Sequence, residues 1–231
     1  MKSAEKHVRE KERLEREERA AAARFIHEKA VESESIDYPL TIIPSNALRI
    51  VDLDMERCQA LSDHIESILD AMTIVDGKEP LPGPLPTVVP LAPELLNLLA
   101  GACSLCRGDC CRRGGENAYL DAPTIRRYQC DHPDSTPREI LAAYLGRVGG
   151  RVYAGSCIYH QHDGCALPRD MRSDTCNRYY CTELKAFQQD ASESKTDRAF
   201  FVAGSRGVVG AAGFVDQDGV RTVSVAIKDL G

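Results

Sequence analysis

The chain has 231 residues, 43% of them hydrophobic and 28% charged, with a formal net charge of −6. That length buries a substantial core without covalent staples, and the balance is that of a globular protein, not a disordered or fibrous one. The acidic balance argues against a general nucleic-acid binder. No run of about 18 apolar residues offers a membrane span, and aromatics at 6% with no Trp leave an aliphatic core.

Residues 1–35 read as a charged N-terminal helix or tail. Glu5/Arg9, Glu12/Arg16 and Glu15/Arg19 set acid before base at i,i+4, the favourable orientation, and alanines 20–23 extend the helix. Val8, Leu14, Phe25 and Ile26 do not repeat every seven residues, which excludes a coiled coil. A solvated helix is expected, with an arm for a protein partner as the alternative. The first 24 residues lack a secretory apolar stretch. A cytoplasmic location follows, where clustered cysteines point to metal binding or catalysis before disulfides.

Residues 36–93 read as a helical segment and a Pro-rich linker. An extended run at 38–44 carries Pro39 and Pro44. Leu61, Ile65, Ile68, Leu69 and Met72 form a helical stripe over 54–72, in which Cys58 is a buried small side chain. Prolines 80, 82, 84, 86, 90 and 93, with Gly77 and Gly83, exclude a helix over 76–93 and predict an extended linker.

Residues 94–190 read as a cysteine-cluster metal-binding domain. Pro93 suits the first turn of a helix through Leu95, Leu96, Leu98 and Leu99 that stops at Gly101. Cys103, Cys106, Cys110 and Cys111 then fall within nine residues. Thiolates suit zinc, copper(I) and iron–sulfur clusters, and a Cys-x-x-Cys turn can bring two sulfurs to one ion. Gly108 permits the chain to return Cys110 or Cys111 toward it. Those two neighbours are expected to diverge, serving two ions, or one binding while the other packs. Arg107, Arg112 and Arg113 would offset thiolate charge. The aliphatic helix ahead of the pair argues against a thioredoxin-like site, and the spacing Cys-x2-Cys-x3-Cys reverses the radical S-adenosylmethionine order.

Beyond the Gly114-Gly115 turn, a short strand over 116–120 is expected, then a helix capped at Asp121 with Pro123. A second helix opens on a Thr136/Glu139 capping box and stops at Gly149-Gly150, and a strand over 151–158 follows. Cys157, Cys165, Cys176 and Cys181 supply four more thiols without a repeated Cys-x-x-Cys, so this is no standard zinc ribbon. His160 and His162 are nitrogen ligands, general bases or ordinary loop histidines, and Cys130 is expected to pack. Eight thiols suit two four-cysteine ions, or one cluster and one separate site. Residues 191–231 read as Gly-rich strands, with Asp218-Gly219 as a hairpin turn and glycines 204, 207, 210 and 213 marking turns or close contacts.

At these residues the chain resembles the YkgJ-type zinc- or iron-chelating cysteine-cluster family, over roughly residues 95–185. The family's Cys-x-x-Cys-x-x-Cys-Cys stands here with one extra residue between Cys106 and Cys110. Its Asn-Ala-(Tyr/Phe)-Leu is matched by Asn117-Ala118-Tyr119-Leu120, and its Arg-Pro-x-x-Cys by Arg172 to Cys176 with Ser173 in the proline's place. Flagellin lysine methylases carry a similar cluster. The resemblance implies metal binding.

The expected fold is α+β and mainly helical, a metal-stapled cysteine-cluster domain with short strands and a C-terminal β-hairpin. The expected function is chelation of iron (as an iron–sulfur cluster) or zinc by Cys103, Cys106, Cys110, Cys111, Cys157, Cys165, Cys176 and Cys181. A metal-dependent enzyme, by redox chemistry or protein lysine methyl transfer, is one alternative. A structural zinc module for protein interaction is the other.

Overall fold

A computed structural model describes residues 2–32, 34–74, 91–162 and 164–224. The linker expected over 76–93 lies outside them except for its last three residues. The fold is α+β, with seven α-helices and eight strands among the described residues. No helix among them is long and apolar enough to cross a membrane. Cα proximity divides the chain into two compact units, each built from separate stretches. The first comprises Met1–Ala47, Leu91–Asp109 and Tyr180–Gly231; the second comprises Leu48–Pro90 and Cys110–Tyr179.

The first unit is organised on a four-stranded sheet. Strand β6 (Ala199–Ser205) is buried along nearly its whole length, which explains its run of Phe, Val and Ala without polar alternation. It pairs in parallel with β1 (Leu40–Pro44), Leu40 opposite Phe200, and antiparallel with β7 (Val208–Asp216). β7 in turn pairs with β8 (Gly219–Val223), giving the C-terminal hairpin read at Asp218-Gly219. Phe200 and Val202 point into one core, where they meet Ala23 and Ile26 of α1 (Lys2–Val31). Thus α1 is anchored through its second half, while its first half is exposed. The alternating Ala199, Phe201 and Ala203 point into another core with α3 (Pro93–Cys106) and α7 (Thr182–Ser194).

Gly101 does not end α3, as its helix-breaking tendency suggests. A Cβ there would stand 2.4 Å from Val215 Cγ1, so the glycine lets the helix press onto the sheet. The helix runs on to Cys106 and is terminated by the left-handed pair Arg107 (φ 54°) and Gly108 (φ 71°).

The second unit packs α2 (Met55–Ile74) through Leu61, Ile65 and Leu69 against α4 (Ala122–Asp131) and α5 (Pro137–Leu145). Both predicted caps form. Asp121 accepts the Thr124 N–H at 2.9 Å, and Thr136 and Glu139 close their capping box. Two small antiparallel ladders join β2 (Ile50–Asp52) to β3 (Arg151–Tyr153) and β4 (His160–Gln161) to β5 (Gly164–Cys165). The strand expected over 151–158 therefore stops early, at the turn around Gly155 (φ 63°). No strand forms over 116–120 either. Ala118 (φ 50°) and Tyr119 (φ 56°) are both left-handed, a curl no strand accommodates.

Candidate metal centre

The eight cysteines are apportioned by α3. Cys103 and Cys106 occupy its last turn, in the first unit, and Cys181 caps the start of α7 there. The Cys-x-x-Cys pair is helical, not a two-residue turn, and it is unequally exposed. Cys103 faces solvent whereas Cys106 is buried in the core under the sheet, against which Cys181 also packs. The Cys106 Sγ accepts the Asp109 N–H at 3.5 Å, and its carbonyl accepts the Asn46 N–H at 2.9 Å. Burial raises the Cys181 thiol pKa above the usual range.

The other five, Cys110, Cys111, Cys157, Cys165 and Cys176, belong to the second unit. Cys110 and Cys111 sit on a short 3-10 helix, Asp109–Arg113, and their side chains hydrogen-bond to each other. The expectation that neighbouring cysteines diverge is thus corrected. Divergence holds for the Cα–Cβ bonds, but each side chain keeps a choice of χ1 rotamers through which neighbouring sulfurs can still meet.

Backbone bonds then zip the two cysteine segments together. Cys157 N–H donates to the Cys111 carbonyl at 3.0 Å, and Ile158 N–H to the Gly115 carbonyl at 2.9 Å. The approach needs Gly114, where a Cβ would lie 2.7 Å from the Cys157 Cβ. Cys165 lies on β5 opposite His160. The Cys176 thiol points at the Ala118 carbonyl, 3.9 Å away, so the left-handed curl at Ala118 serves to meet it. Ser173 caps α6 (Asp174–Arg178) by accepting the Cys176 N–H at 3.2 Å.

The surroundings are apolar. Cys157 is part of the second unit's core, and Cys111 and Cys165 pack against it. Burial pushes the Cys157 thiol up to about 12 and raises Cys176 as well. Cys111 is pushed far up, first by the bond to Cys110 and then by burial. Cys157 lies within electrostatic reach of Cys165 and Cys176, Cys111 of Cys157 and Cys165, and Cys176 of Cys110. The five thiols therefore share one neighbourhood.

The cations acting on Cys157 and Cys176 include Arg57 and Arg172, each favouring the thiolate. Sequence adjacency pointed instead to Arg107, Arg112 and Arg113. Arg57 comes from α2, more than 50 positions before the first of these thiols, and no local pattern marks it.

The remaining candidates separate cleanly. His160 is 1% exposed, its Nδ1 2.8 Å from the Ser156 Oγ and its ring against Tyr153, whereas His162 is exposed. Cys58, expected to be buried, is half-buried in α2 and packs against the core. Cys130 is exposed at the end of α4 and does not pack as expected, because the apolar face of that helix is carried by Ile125.

Among the described residues no three His, Cys, Asp or Glu side chains converge closely enough to hold a metal ion. The donor chemistry suits a thiophilic ion. Compared with known proteins, the chain matches no family model, no curated protein and no solved structure.

Proposed function

We propose that this protein chelates a thiophilic metal, zinc or iron in an iron–sulfur cluster, through Cys110, Cys111, Cys157, Cys165 and Cys176. The observation that supports this most is their gathering. Thiols as much as 66 positions apart in sequence (176 − 110) lie within electrostatic reach of one another in the second unit. A buried cysteine is by itself an ordinary small hydrophobe, but packing alone asks for neither five together nor arginines beside them. Resemblance to the cysteine-cluster family supports the same chemistry. Cys103, Cys106 and Cys181 complete the eight thiols as a set of three in the first unit.

A bound metal would supply folding energy to the loops that carry these cysteines and, as an iron–sulfur cluster, one-electron chemistry. The chain's own part is to shelter Cys157, with Cys111 and Cys165 against the same core, and to bring Arg57 and Arg172 near Cys157 and Cys176. Elevated pKa values mean that Cys111, Cys157 and Cys176 stay protonated in the metal-free protein, so their binding to metal is accompanied by proton release.

The test is metal and sulfide analysis, with an optical spectrum, on protein purified without oxygen. Iron with sulfide and visible absorbance identifies a cluster, and zinc in colourless protein identifies a thiolate zinc site. Cys157→Ser is expected to lose metal and Cys130→Ser to keep it. Wild-type protein without metal, or equal content in the two variants, refutes the reading.

A further inference from the structure

Between Lys78 and Lys185 the chain has eleven basic residues, and every one is arginine. Two of them, Arg127 and Arg172, together with Arg57 of α2, bind the backbone of turns that carry thiols. Arg57 donates from Nε to the Glu116 carboxylate at 2.7 Å and from Nη2 to the Ser156 carbonyl, the residue before Cys157. One guanidinium thereby ties the stretch after Cys111 to the stretch before Cys157. Arg172 donates from Nε to the Leu167 carbonyl at 2.7 Å and from Nη2 to the Cys165 carbonyl at 3.4 Å. Arg127 donates from Nη2 to the Arg172 carbonyl and from Nη1 to Asp174, both at 2.6 Å, fixing the turn that leads into Cys176. These contacts are sheltered, with the Arg57 and Arg127 side chains only 17% and 20% exposed.

We infer that Arg57, Arg127 and Arg172 are positioning residues for the metal centre, a guanidinium frame that holds the turns of Cys157, Cys165 and Cys176 in register. The inference rests on the metal-binding reading above. It follows from what each cation could do instead. A lysine in any of these places keeps the charge but is a single point donor, whereas the planar fork reaches two acceptors in fixed directions. Three adjoining turns each held by such a fork indicate that direction is required as well as charge. The turns carry few ladder bonds of their own, since β4 and β5 are two residues each. Besides the forks, the thiol-bearing turns are held by a few backbone bonds, the Ser173 cap and core packing. Groups that orient ligands from outside the coordination sphere typically change metal affinity about 10- to 100-fold.

The experiment uses the full chain, reduced and metal-free, titrated with cobalt(II) in competition with a chromophoric chelator. The sulfur-to-cobalt charge-transfer absorption per bound cobalt reports how many thiolates engage, a quantity that a purely structural role would not move. Arg57→Lys and Arg172→Lys are the variants, with circular dichroism and urea unfolding to verify the fold. Arg151→Lys is the control, because that side chain is 70% exposed and pairs only loosely with Asp52 at 3.7 Å.

The frame predicts folded Lys variants that bind cobalt about 10- to 100-fold more weakly with reduced absorption per cobalt, and an unchanged control. Lys variants that match wild type in affinity and absorption overturn the frame and leave the metal-binding reading intact. Wild-type protein that takes up no cobalt overturns both. Should a Lys variant unfold, the Glu116→Ala variant, which removes one acceptor of the Arg57 fork from a half-exposed position, carries the same prediction.

Discussion

Gly114 joins two cysteine-bearing segments by the atoms it lacks. A methyl group there would press on the Cys157 Cβ at 2.7 Å and on its Sγ at 3.1 Å, both deep in the second unit. Gly114→Ala is therefore expected to lower stability by about 1–3 kcal/mol, the usual cost of overpacking a tight contact. Gly150→Ala meets nothing within 4 Å and should stay within about 0.5 kcal/mol of wild type. Urea midpoints of the two variants check this, and equal midpoints would show that the segments can part at no cost. Neither role can be read from the sequence, where both positions belong to Gly-Gly pairs. The cysteines themselves were legible as a cluster, but not the bond between Cys110 and Cys111, which depends on a side-chain rotation that neighbour spacing does not encode.

At the scale of elements, local signals were legible where the deciding contacts are local. The Thr136/Glu139 box and the Asp218-Gly219 hairpin involve residues a few positions apart, and both form. The end of α3 was misread because Gly101 answers to Val215, a partner 114 positions away (215 − 101). The β6–β7 connection offers a direct check on turn chemistry. Arg206 (φ 49°) and Gly207 (φ 78°) both have positive φ, as a type I′ turn requires, yet arginine is a poor residue for that conformation. Arg206→Asn should stabilise the first unit by about 0.5–1 kcal/mol, visible as a raised thermal midpoint. A lowered midpoint would mean that the arginine side chain contributes more than its backbone strain costs.

For the whole molecule, the division into two units was beyond the reach of sequence patterns. Each unit takes segments from both sides of the other's, and only the crossing at Pro90–Leu91 coincides with a change in composition. The fourfold partition at 35, 93 and 190 followed composition, whereas the units follow pairing such as that of Leu40 with Phe200. The candidate metal centre gives this division a measurable form. Hydrogen exchange followed by mass spectrometry should show slower exchange over residues 110–179 when metal is bound, with β6 and β7 unchanged, since a ligand stabilises what it binds. Equal slowing in β6 and β7 would show that the five thiols do not stabilise their own unit alone.

The parallel pairing of β1 with β6 also sets a timetable for synthesis. At about 5–20 residues per second, the ribosome needs on the order of ten seconds or more after making Leu40 to produce its partner Phe200. All that time β1 is an unclaimed strand edge on a nascent chain. The second unit, ending at Tyr179, is fully translated first. Its five cysteines can thus be gathered while the first unit still awaits β6, its central strand.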